Sequence, residues 1–121
     1  MGTDDVVDLV RQNGYEIHVY FKNGFLEKVY ENALANRLRK RGLKVFQQYP
    51  LNVYDQDGTI VGEYFADLFV EDDLIVEPKA VKLLNDNHSA QLLAYLKAAQ
   101  KQHGMLMNFG ALKFQVKKFI L

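Results

Sequence analysis

Two apolar runs in the second half of the chain carry charges that a core strand should not hold. Asp67 interrupts Tyr64-Phe65-Ala66-Asp67-Leu68-Phe69-Val70, and Glu77 and Lys79 interrupt Leu74-Ile75-Val76-Glu77-Pro78-Lys79-Ala80-Val81. An unpaired charge in an apolar interior is costly enough to be neutralised or replaced. These three side chains therefore need partners, and a divalent cation is one that carboxylates can share. Glu77 and Lys79 are two apart, so they project from one face of a strand, about 6.6 Å apart along it. The acidic turn Glu71-Asp72-Asp73 makes the two strands antiparallel neighbours. Counted from a turn centred on Asp72, Asp67 falls opposite Glu77, with Cβ atoms about 5 Å apart. Two carboxylates so placed form a cup suited to Mg²⁺, with a lysine one pleat away. Asp67 with Lys79, or Glu77 with Lys79, reads equally well as a buried ion pair.

The elements that must position these residues follow from the patterning. Residues about 4 to 20 read as a first helix, with Asp4 or Asp5 as cap and Asn23-Gly24 as its break. A second helix is expected from about Phe25 to Arg41, ending at Gly42. Its apolar residues Leu26, Val29, Tyr30, Ala33, Leu34 and Leu38 follow the i, i+3, i+4, i+7 template. On that wheel Glu27 falls at about +100° from Leu26, at the edge of the apolar face. Strands follow at Lys44 to Tyr54 and Thr59 to Val70, joined by an Asp57-Gly58 hairpin turn. The second is apolar on both parities and is expected to be buried on both faces. Leu74 to Val81 is the third.

A further helix is expected from about His88 to His103, capped from Asn85 to Asn87 and ended by Gly104. On it His88, Gln91 and Tyr95 form a polar ridge that would look across the sheet toward the cup. The plainer readings are His88 near a helix start as a capping or surface residue, Tyr95 as an amphipathic tyrosine at the core edge, and Glu27 as a boundary residue reaching water. Strands at Met105 to Phe109 and Phe114 to Ile120 complete the order α-α-β-β-β-α-β-β, an α+β domain with one crossover helix feeding a strand back into a mostly antiparallel sheet.

The 121 residues fit a single domain (1–121) that can close its core without disulfide or structural zinc. The absence of cysteine excludes thiolate metal sites and cysteine nucleophiles. No apolar run approaches the ~20 residues that span a bilayer, and the acidic start MGTDDVVDLV is not a signal peptide. A cytoplasmic protein without a membrane partner is the expectation. Fifteen basic and fifteen acidic residues give zero formal charge, which does not advertise a polyanion binder. The basic residues are nonetheless grouped, at Arg37, Arg39, Lys40, Arg41 and Lys44 and at Lys113, Lys117 and Lys118, so a local basic face is open beside the plainer reading as solvated surface.

The spacing Asp67, nine residues, Glu77-Pro78-Lys79 resembles the PD-(D/E)XK nuclease signature. Gly24-Phe25-Leu26-Glu27-Lys28-Val29-Tyr30 resembles the G-x-x-E-x-x-Y motif that names a family of small prokaryotic proteins within that superfamily. His88-Ser89-Ala90-Gln91-Leu92-Leu93-Ala94-Tyr95-Leu96 and Gly104-Met105-Leu106-Met107-Asn108-Phe109-Gly110 are similar to its H-x-A-Q-x-x-x-Y-L and G-x-L-x-N-F-G segments. The resemblance covers the chain from about Val6 onward.

It implies a restriction-endonuclease-like αβββαβ core with a mixed central sheet flanked by helices. It also implies a metal-dependent phosphodiesterase, with DNA as the expected substrate. Asp67, Glu77 and the main-chain carbonyl of Pro78 would hold Mg²⁺ or Mn²⁺, and Glu27 would add a carboxylate. Lys79 would orient or deprotonate the attacking water, with Gln91 and Tyr95 beside the scissile phosphate. Cutting both strands is simplest for a homodimer. Pro78 departs from the family pattern, which has an aliphatic residue there, and Asn23 stands where the family has proline. A proline lacks the ladder N–H, so a catalytically silent nuclease fold acting as a binding module is the alternative, and structural ion pairs in an oligomeric accessory protein a further one.

Overall fold

The computed structural model describes residues 1–121 as three helices and one five-stranded sheet. The elements are α1 (Thr3–Phe21), α2 (Glu27–Lys40), β1 (Val45–Tyr54), β2 (Ile60–Val70), β3 (Leu74–Lys79), α3 (Asp86–Ala99), β4 (His103–Asn108) and β5 (Gln115–Ile120). The strands lie in sequence order. All neighbours are antiparallel except β3 and β4, which α3 joins as a parallel crossover. This is the expected α+β, restriction-endonuclease-like arrangement.

The core has two halves. Val10, Ile17, Tyr30, Leu34 and Leu38 of α1 and α2 pack on Val45, Leu68, Val70, Leu74, Val76, Met105 and Met107. Leu92 and Leu96 of α3 pack on Leu51, Ala66, Phe69, Ile75 and Leu106 on the other face. In a regular strand Ala66 and Leu68 would share a face, as would Val45 and Leu51. They do not. The alternation slips at the rung Gln48–Asp67, which is missing between Gln47↔Leu68 and Tyr49↔Ala66, and there Gln48 takes a left-handed φ of 52°.

Three local expectations need correction. The second strand is not buried along its length: its first half is open to solvent, with Ile60 55% and Val61 61% exposed, and only its end from Ala66 is covered. The cause is length, since β1 and β2 run 10 and 11 residues against six in β3, so their hairpin extends past the helices that would cover it. The second helix begins at Glu27, and Leu26 is an exposed N-cap residue, not part of its apolar face. Tyr30 explains this: its hydroxyl donates to Lys22 O (2.6 Å) and accepts from Phe25 N (3.2 Å), holding the chain extended until Glu27. The third helix ends at Gln100, in the αL conformation, and Gly104 lies inside β4. A Cβ on Gly104 would stand 3.0 Å from Leu92 and Leu96, so its glycine serves helix–sheet packing and not helix termination.

Candidate active site

Pairing between β2 and β3 stops at Leu68↔Val76, whereas β3 stays paired with β4 as far as Lys79↔Asn108. Beyond Val76 the sheet therefore opens on one side of β3. Asp67 and Glu77 are the next residues in register, opposite each other as the turn arithmetic predicts. No ladder bond joins them. The Asp67 backbone N–H donates to Glu77 Oε2 at 2.8 Å, so a side chain takes the place of a main-chain carbonyl. The opening lets groups from both helical layers meet: Glu27 and Glu31 from α2, Gln91 and Tyr95 from α3.

Glu77 is 2% exposed. Burial first, and the neighbouring Asp67 second, push its carboxyl up to about 9. Asp67 is half-buried and also raised, chiefly by burial, with the hydrogen bond from Gln48 pulling the other way. Glu27 is raised by burial, with Lys79 opposing and Asp67 and Glu31 adding to the shift. The Lys79 ammonium donates to Gln91 Oε1 at 3.0 Å, which aims it from β3 toward α3. The Tyr95 hydroxyl is held above its ordinary value by burial first and then by the charges of Glu77 and Asp67. Its ring centroid lies 5.3 Å from that of Tyr64.

Pro78 is buried, and its missing N–H disturbs nothing. Lys79 O accepts from Phe109 N on the β4 side (2.8 Å), so by strand alternation the main-chain groups of Pro78 face β2, where pairing has already ended. The same opening leaves the Pro78 carbonyl directed to the carboxylate side of β3.

Two participants had no part in the sequence expectations. Glu31, 2% exposed, accepts from Lys28 Nζ (2.9 Å), Gln47 Nε2 (2.8 Å) and Gln48 Nε2 (3.0 Å). Gln48 Nε2 also donates to Asp67 Oδ1 at 3.0 Å, so one carboxamide ties a carboxylate on α2 to a carboxylate on β2. Glu31 had a signal, since it follows Glu27 by one helical turn. Gln48 had none, because its reach depends on the slipped rung. His88 does not face the cup. Its Nδ1 accepts from Asn85 N (3.1 Å) while Asn85 Oδ1 accepts from Asn87 N and His88 N, which closes the helix start.

Other residues of the recognised segments hold the frame. The Tyr30 ring stacks on Phe109 (4.8 Å, 9°). The buried Asn108 carboxamide accepts from Val81 N (3.1 Å) and Gly110 N (3.0 Å) and donates to Gln115 Oε1 (2.8 Å), tying the exits of β3 and β4 to β5.

Four carboxylates (Glu27, Glu31, Asp67, Glu77) thus face two ammonium groups (Lys28, Lys79). Such a site must hold protons or gather a cation. No three acidic or histidine side chains converge tightly enough to cage a metal alone. The donors fit Mg²⁺ in its usual form, in which one or two carboxylates are completed by water and substrate phosphate.

A sequence model of the PD-(D/E)XK nuclease superfamily matches residues 4–119. No curated protein and no solved structure gives a match.

Proposed function

The chain belongs to the PD-(D/E)XK nuclease superfamily, and we propose that it is a metal-dependent nuclease that hydrolyses DNA phosphodiesters at Asp67, Glu77 and Lys79. The observation that carries this reading is the pairing of buried Glu77 with half-buried Asp67, set where the β2–β3 ladder opens and flanked by an aimed lysine. Within the superfamily we place it in the GxxExxY family, on Gly24, Glu27 and Tyr30 in the spacing of that motif.

Asp67, Glu77 and the Pro78 carbonyl would hold Mg²⁺ or Mn²⁺, and Glu27 would approach from α2 as a further carboxylate. The ion, when bound, lowers the pKa of a coordinated water and stabilises charge on phosphorus. Lys79, oriented by Gln91, donates to the attacking water or to the phosphate oxygen on which charge develops. Tyr95 keeps its hydroxyl proton and can donate it to a phosphate oxygen. Glu27 and Glu31 keep the surroundings negative, which favours a cation over an empty, protonated site. Pro78 gives no support to the silent-fold alternative, because its N–H would have had no ladder partner. No helix is long and apolar enough to cross a membrane, and two copies would be needed to cut both strands at once.

The test is Mg²⁺- and Mn²⁺-dependent cleavage of linear, circular and single-stranded DNA by wild type and Asp67→Asn, with a chelator control. Cleavage by wild type that the chelator stops and the variant lacks is expected. Equal cleavage by both proteins would mean a contaminant, and none by either would leave a binding module.

A further inference from the structure

A groove of about 370 Å³ runs between the β1–β2 hairpin and α3, walled by Asn52, Tyr54 and Tyr64 on one side and Lys97 on the other. Asn52, Tyr54 and Ala98 are shared with an adjoining depression of about 260 Å³ that adds Tyr49 and Lys101. The two therefore form one channel with three tyrosines on the strand wall and two lysines at its helical side. No carboxylate lines either part; the hairpin tip carries Asp55 and Asp57, and Glu63 stands opposite Asn52 on β2.

Two features suit this channel to one ligand class. Tyr54 and Tyr64 are exposed, at 59% and 39%, and so offer ring surface to an incoming planar group. Lys97 is free at the surface, and Lys101 lies over the Phe69 ring with its ammonium 5.9 Å from the centroid. Aromatic faces and spaced ammonium groups are the components with which proteins hold unpaired nucleic acid. The channel also leads to the candidate active site, since the Tyr64 ring contacts that of Tyr95.

We propose that this channel binds a single nucleic-acid strand, with unpaired bases stacked on Tyr54 and Tyr64 and phosphates on Lys97 and Lys101, delivering that strand to the carboxylates past Tyr95. The proposal rests on the nuclease reading and narrows its substrate class to single strands and to duplexes with a single-stranded extension. Every base has a face to stack on a tyrosine ring, so little sequence preference is expected.

Fluorescence anisotropy without divalent cation tests it. The probes are labelled oligothymidylate, an abasic strand of equal length and a blunt duplex. The proteins are wild type, Tyr54→Ala, Lys97→Ala and the double variant Lys97→Ala/Lys101→Ala; the exposed positions Tyr54 and Lys97 should leave the melting temperature unchanged, whereas Lys101 is half-buried over the Phe69 ring, so the single lysine variant keeps the test independent of folding. Wild type should bind oligothymidylate at least about tenfold more tightly than the abasic strand or the duplex, because stacking accounts for the difference. Tyr54→Ala should lose about tenfold on oligothymidylate and little on the abasic strand. The double lysine variant should lose affinity for both and show a shallower salt dependence. Oligothymidylate bound no better than duplex, or variants binding like wild type, would overturn the channel. If duplex cleavage persisted in that case, the nuclease reading would survive alone. A wild-type protein that neither binds nor cuts any nucleic acid would overturn both.

Discussion

At the scale of single residues, the Glu77 carboxyl governs how the site responds to protons. Its ordinary value is 4.5 and burial raises it to about 9 in the fold. A group raised on folding stabilises below its ordinary value, and that stabilisation is lost as pH climbs through the folded value. Asp67 and Glu27 shift in the same direction. Metal-free protein should therefore melt progressively lower between pH about 5 and 9. Glu77→Gln fixes the neutral form, so calorimetry should find it close to wild type at pH 5 and about 3 °C or more higher at pH 8.5. A variant less stable at both values would mean that ionised Glu77 is paired in the fold, as in a structural ion pair. Gln48 poses a different test. Its φ of 52° strains a residue with a Cβ, so Gln48→Gly should relax the backbone and hold or raise the melting temperature. The same change removes the carboxamide between Glu31 and Asp67, and cleavage should fall by about tenfold or more, as when groups supporting metal ligands are lost. Unchanged cleavage would show that Asp67 needs no such tether.

At the scale of elements, much of the frame was legible in the sequence because its signals are local. Asn85 caps α3 as its side chain predicts, Asp57-Gly58 turns the hairpin, and the Glu71-Asp72-Asp73 turn sets Asp67 against Glu77. What escaped depends on contacts between distant residues. The bareness of Ile60 and Val61 depends on how far the helices reach, which alternation in one strand cannot tell. The start of α2 depends on a hydroxyl, and that gives a prediction. Tyr30→Phe removes the group that satisfies Lys22 O and Phe25 N. It should cost about 1–3 kcal/mol and loosen the loop that presents Glu27, so thermal unfolding should come several degrees lower with cleavage reduced. A variant as stable as wild type would show that the loop is held by other contacts. The opening between β2 and β3 was equally hidden: Pro78 looked awkward in a central strand, and is harmless because its own strand edge is unpaired on that side.

At the scale of the whole molecule, the neutral total conceals a division of charge. The site gathers four carboxylates against two lysines, the β1–β2 hairpin carries no basic residue, and the densest basic run, Arg37, Arg39, Lys40, Arg41 and Lys44, lies at the end of α2 and in the turn after it. An ion that relieves the carboxylates binds the folded chain alone, so it must stabilise it. Mn²⁺ at about a hundredfold excess over its dissociation constant should add about 2.7 kcal/mol and raise the melting temperature by several degrees. The gain should grow with pH, because binding displaces protons from the raised carboxyls. A shift of equal size in Asp67→Asn would place the ion elsewhere. The most direct test of the central claim is single-turnover DNA cleavage by wild type and Lys79→Ala at saturating Mg²⁺. Lys79 is expected to act on water or phosphate and not to hold the fold, so the variant should keep its melting temperature and lose cleavage by at least about a hundredfold. Cleavage at the wild-type rate by Lys79→Ala would contradict the account, since the chemistry would then lie outside the Asp67, Glu77 and Lys79 site.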